Sequence, residues 1–123
     1  MQAPKIFILT LLIGIITSGT ILSQSVSFTI KAANEKYSPS TITVNAGQVV
    51  KLKINSKMDN NLSSPEGYVH SWTIYDLGID FKLKPGVQNF SFVAPEQTGT
   101  YKIECNVECG DQHEYMTGKL IVK

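Results

Sequence analysis

Past residue 24 the chain alternates between apolar and polar positions, segment after segment, with the period of strands that bury one face. Val26, Phe28 and Ile30 alternate with Ser25, Ser27, Thr29 and Lys31. Thr41 to Val44 is a β-branched run, closed by the turn signal Asn45-Ala46-Gly47. Val50, Leu52 and Ile54 alternate with Lys51, Lys53 and Asn55. Ser56 to Gly67 is polar and reads as a loop, with room for a short helix over Asn61 to Glu66. Val69 to Tyr75 is strand-like, and Lys84-Pro85-Gly86 is a tight turn. Gln88, Phe90 and Phe92 alternate again before Pro95 and Gly99 interrupt. Tyr101, Ile103 and Cys105 share one strand face, and Leu120 and Val122 close the chain. Short strands with turns between them, and no helical period, predict an all-β sandwich or barrel.

The N-terminus breaks this pattern. Lys5 is the only charge before Lys31, and it precedes an apolar run from Ile6 to Ile16 interrupted only by Thr10 and Gly14. Thr17, Ser18, Gly19 and Thr20 follow. Residues 1–23 therefore read as a secretory signal peptide or a single membrane anchor. The strand pattern starting at Ser25 leaves almost no linker, which favours cleavage. In either case residues 24–123 form one exported domain, in the periplasm or on the extracytoplasmic face of a membrane.

Composition narrows the function by exclusion. The chain is 42% hydrophobic and 17% charged, enough apolar content for a packed body. A net charge of +1 gives no footprint for nucleic acid. The usual nucleotide-binding and hydrolase motifs are absent, and no acid–base pair suits catalysis by the chain alone.

The chemistry lies in the segment 105–116, which reads Cys-x3-Cys-x3-His-x2-Met through Cys105, Cys109, His113 and Met116. Thiolate and thioether select soft metals, and imidazole suits zinc and copper. Four readings compete. Outside the cytosol two cysteines are by default a disulfide, which leaves His113 and Met116 unexplained. A zinc site of two Cys and two His leaves Met116 idle. A mononuclear copper site uses a weak axial Met but leaves one cysteine spare. Two coppers bridged by both thiolates, each also holding one histidine, use every donor. The second imidazole is then His70, since His70 and His113 are the chain's two histidines.

This segment resembles the dinuclear copper (CuA) loop of cytochrome c oxidase subunit II and of nitrous oxide reductase. His70-Ser71-Trp72, Leu77-Gly78, Lys84-Pro85-Gly86 and Gly99-Thr100-Tyr101 are similar to the family's flanking stretches. The resemblance covers roughly residues 25–123 and is strongest from His70 onward. It implies a Greek-key barrel of the cupredoxin type holding two copper ions. Cys105 and Cys109 would be bridging thiolates, His70 and His113 imidazole ligands, Met116 an axial thioether and Val107 a backbone-carbonyl ligand. The family usually has Glu where this chain has Val107, so a neighbouring magnesium site is not expected. The membrane hairpin and the aromatic cluster common before the first ligand are also missing from this sequence.

The implied function is one-electron transfer as subunit II, or a similar component, of a haem–copper terminal oxidase in a respiratory chain. Electrons would come from a c-type cytochrome or another small carrier and leave toward the oxidase's subunit I. A free-standing exported copper carrier and a copper-delivery or storage protein are the alternatives. Glu104, Glu108, Asp111 and Glu114 form an acidic rim, read either as a solvated loop or as a surface that steers a basic partner.

Overall fold

The computed structural model describes residues 24–111 and 113–123. The leader expected at 1–23 lies outside the described residues. Among the described residues no helix is long and apolar enough to cross a membrane.

Nine strands run in chain order: β1 Val26–Ala33, β2 Lys36–Ser38, β3 Thr41–Val44, β4 Val49–Ser56, β5 His70–Ile74, β6 Ile79–Leu83, β7 Gly86–Val93, β8 Gly99–Glu104 and β9 Thr117–Val122. They form two sheets. One has the order β2-β1-β4-β7, the other β3-β9-β8-β5-β6. The chain passes repeatedly from one sheet to the other, a Greek-key connectivity. β1 pairs parallel with β4 and β3 parallel with β9, while the remaining pairs are antiparallel.

The register explains the core. β1 and β4 set Phe28 beside Leu52 and Ile30 beside Ile54, so the apolar rows of both strands face inward together. β7 continues the row with Phe90 beside Leu52 and Phe92 beside Val50. Against them pack Trp72, Ile74, Ile103, Leu120 and Val122 of the second sheet, all essentially buried. Each such side chain contributes about 1.5–3 kcal/mol on leaving water. Trp72 stacks on Phe81 with centroids 6.0 Å apart, and Phe81 stacks on Phe90 at 4.4 Å.

Strands expected from alternation alone are present, with two additions. β2 is only three residues long, and β6 follows the 3-10 turn Tyr75–Leu77. The short helix considered over Asn61 to Glu66 is absent; that stretch is turn and loop. A second 3-10 turn, His113–Tyr115, lies where no helix was expected.

Two elements position the functional end. β8 and β9 form a hairpin whose last ladder pair is Glu104 with Thr117, so residues 105–116 are its end loop. Gly118 keeps the base of this loop tight. A Cβ there would lie 2.3 Å from the Ser40 carbonyl oxygen, so only glycine permits the approach. β5 starts at the same end and is buried at all five positions. Trp72 and Ile74 join the core, while Ser71 and Thr73 are occupied by hydrogen bonds on the opposite face.

Candidate metal centre

The hairpin loop and the start of β5 bring all the sequence-predicted donors to one place. One ligand atom each of His70, Cys105 and Cys109 lie within 4.8 Å of one another, and all three residues are buried. The thiol sulfurs are 4.0 Å apart, so the cysteines are free and not a disulfide, which needs about 2.0 Å. Cys109 Sγ lies 3.5 Å from His113 Nδ1 and 3.8 Å from Met116 Sδ. Cys105 Sγ is 3.2 Å from the Val107 carbonyl oxygen. Cys109 and Met116 are fully enclosed, and His113 is half-buried at the rim.

Backbone bonds explain why the loop closes this way. Cys105 N–H donates to the Met116 carbonyl at 3.3 Å, His113 N–H to Gly110 and Met116 N–H to His113, both at 3.1 Å. The loop folds back on itself and returns Met116 beside Cys109. A polar staple fixes the loop to β5. Asn106 N–H donates to Ser71 Oγ at 2.8 Å, and the Asn106 amide donates to Asp80 Oδ1 at 3.0 Å. Lys82 Nζ donates to the Asn106 side-chain oxygen. Burial works against the Asp80 carboxylate, but hydrogen bonds from Thr73 and Asn106 and the Lys82 charge hold it below the usual range. Tyr37 hydroxyl donates to the Ser71 carbonyl, and burial, with the negative charge of Cys105, Cys109 and Glu104, keeps that phenol protonated.

Electrostatics sets the two thiols apart. The Cys109 S–H supports a thiolate on Cys105. Burial opposes that charge, while the nearby His70 imidazole and the Val107 and Ser71 backbones favour it, so the Cys105 pKa falls well below the thiol range. Cys109 moves the other way, because it is the donor to Cys105, is buried, and faces the charges of Cys105, Glu35 and Asp59. Cys105 is thus the readier thiolate of the two. A soft metal ion held here would be bound by both cysteines as thiolates.

Neither ring nitrogen of His70 makes a hydrogen bond of good geometry among the described residues, although the ring is fully buried. Nε2 has the Asp59 carboxylate beside it at 3.2 Å, whereas a buried Nδ1 is costly unless a ligand engages it. The donor types fit copper: His70, Cys105 and Cys109 cluster together, and His113 and Met116 adjoin Cys109. The sulfur–sulfur separation of 4.0 Å is shorter than two metal–thiolate bonds of about 2.3 Å, so a single ion could reach both sulfurs.

Sequence reasoning missed three contributors. Asp59 reads as part of a turn-rich loop, yet its carboxylate is buried and sits 3.2 Å from His70 Nε2. Ser71 and Asn106 flank candidate donors and read as spacers, yet they join the two donor-bearing elements. None carries a local pattern. Their roles come from contacts between segments 24–35 residues apart, as the pairs Asp59–Glu35 and Asn106–Ser71 show.

A β-barrel that gathers thiols, imidazoles and a thioether at one end is a metal-binding domain of the copper-protein kind. A family model described as "Cupredoxin-like domain" matches residues 5–122, and the chain belongs to that family. The cupredoxin fold indicates copper binding. Cytochrome c oxidase subunit 2 of Rhipicephalus sanguineus is 37% identical over 65 residues, which are 53% of this chain and 28% of that protein. The chain therefore matches little more than a quarter of that relative's length. Among solved structures, a heme-copper terminal oxidase dimer superimposes with a TM-score of 0.62 at 22% identity, covering 79% of this chain and 64% of that one. Auracyanin A, a "blue" copper protein of Chloroflexus aurantiacus, superimposes with a TM-score of 0.59 at 20% identity, covering 80% and 99%. At these identities the structural likeness shows the fold.

Proposed function

We propose that the chain carries single electrons through a dinuclear copper centre held by Cys105, Cys109, His70, His113, Met116 and the Val107 carbonyl. The carrying observation is the pair of buried thiols, 4.0 Å apart and not joined as a disulfide, with His70 within 4.8 Å of both and His113 3.5 Å from Cys109. A mononuclear site would leave one of these thiols without a task. Copper supplies the one-electron couple. The chain's own part is to hold the donors in one geometry for both oxidation states. A fixed β-scaffold does this, keeping reorganisation on electron transfer small.

The likeness to subunit 2 supports a place as the electron-entry component of a haem–copper oxidase, on the extracytoplasmic side, fed by a c-type cytochrome or another small carrier. Glu108, Asp111 and Glu114 are exposed beside the loop, and Glu104 is partly engaged by Lys102 at 3.2 Å. That rim suits a basic partner.

Mixing the copper-loaded chain with reduced c-type cytochrome tests this reading. The expected outcome is rapid one-electron reduction with copper retained, and a rate that falls steeply with added salt. Release of copper on reduction would point to a delivery protein and contradict electron transfer.

A further inference from the structure

The turn between β1 and β2 reaches the metal centre from outside, through two separate contacts. Asn34 and Glu35 form the turn, both with left-handed backbone, at φ 53° and 56°. Their N–H groups converge on one carboxylate: Asn34 donates to Asp59 Oδ1 at 2.9 Å and Glu35 to Asp59 Oδ2 at 2.7 Å. The same Oδ2 lies 3.2 Å from Nε2 of His70, whose side chain is fully buried, while Asp59 is only 9% exposed. The Glu35 side chain accepts from Asn60 at 3.0 Å and packs on the copper loop at Gly110. Gly110 has φ 137°, a backbone that favours glycine, and a Cβ there would lie 1.9 Å from Glu35 Oε1, so the Glu35 side chain would have to move to admit one.

A buried carboxylate held by two backbone donors cannot swing away from the imidazole it faces, and as an acceptor it favours a proton on the nearer nitrogen. The other ring nitrogen then keeps its lone pair. Metal-binding histidines generally need such a partner to set tautomer and ring orientation, and its loss costs about 10–100-fold in metal affinity.

We infer that Asp59 is a positioning residue for the metal centre: pinned by the Asn34–Glu35 turn, it holds His70 as the Nε2–H tautomer and presents Nδ1 to the metal. The inference rests on His70 being a ligand, but its first test does not need copper. Two-bond proton–nitrogen correlation spectra of the metal-free, full-length chain, labelled at its two histidines, read the tautomer directly. The expected result is a His70 ring protonated at Nε2 and bare at Nδ1. A ring protonated at Nδ1, or one exchanging freely between tautomers, overturns the inference. This reading needs no variant, so a folding defect cannot obscure it.

The second test compares copper retention against a chelator in Asp59→Asn and in the unsubstituted chain, with circular dichroism as the check on folding. The substitution puts an amide, with N–H donors, where the carboxylate offered only acceptors. A folded variant should lose about 10–100-fold in copper affinity and show an altered His70 nitrogen coupling in pulsed EPR. A folded variant with unchanged affinity and coupling overturns the inference. An unsubstituted chain that takes up no copper would overturn the metal-centre reading instead, and the tautomer result would still stand by itself.

Discussion

Cys109 touches three other soft or imidazole donors: Cys105, His113 and Met116. Met116 touches Cys109 from one side and is fully buried. The two should respond differently to substitution. Cys109→Ser should abolish the dinuclear centre, because a hydroxyl neither ionises readily nor bridges two soft ions. Met116→Leu conserves volume, should cost less than about 1.5 kcal/mol of stability, and should keep both coppers while shifting the reduction potential. Metal analysis with voltammetry checks both; a Cys109→Ser chain that keeps an intact two-copper spectrum would contradict the bridging role. At this scale the gathering of candidate donors was legible in the sequence. Soft donors are rare, and four of them at short spacing stand out. Asp59 was not legible, because its meaning comes from turn amides 24 and 25 residues away and from His70 across the loop.

Among the elements, the β8–β9 hairpin and β5 decide where the donors stand. The hairpin's tightness depends on Gly118, whose missing side chain lets Lys119 N–H reach the Ser40 carbonyl at 2.8 Å. Gly118→Ala should therefore lower stability by about 1–3 kcal/mol, the usual range for overpacking a tight site. A urea titration monitored through Trp72 fluorescence measures it, and an unchanged midpoint would show that the β3–β9 approach can relax. β1, β3, β4 and β7 were legible because each buries one face and alternates. β5 shows five consecutive buried residues and has no alternation. It was recognisable as strand-like, but which of its residues turn inward was not. The short β2 and β6 gain their strand character from partners, Tyr37 pairing with Ala32 and Phe81 with Trp72, and not from a run of their own.

At the scale of the whole molecule, the two sheets form a scaffold that delivers donors from distant segments to one end. The fold class was readable from periodicity, while the meeting of His70 with Cys105 and Cys109 depends on strand order β8-β5, which no local pattern specifies. The central claim is that this end holds two coppers sharing one unpaired electron. EPR of the copper-loaded chain, together with a count of copper per chain, tests it most directly. Two coppers per chain, a purple colour and hyperfine coupling spread over two equivalent nuclei are expected. One copper with a blue, single-nucleus spectrum, or no copper with Cys105 and Cys109 oxidised to each other, would contradict it.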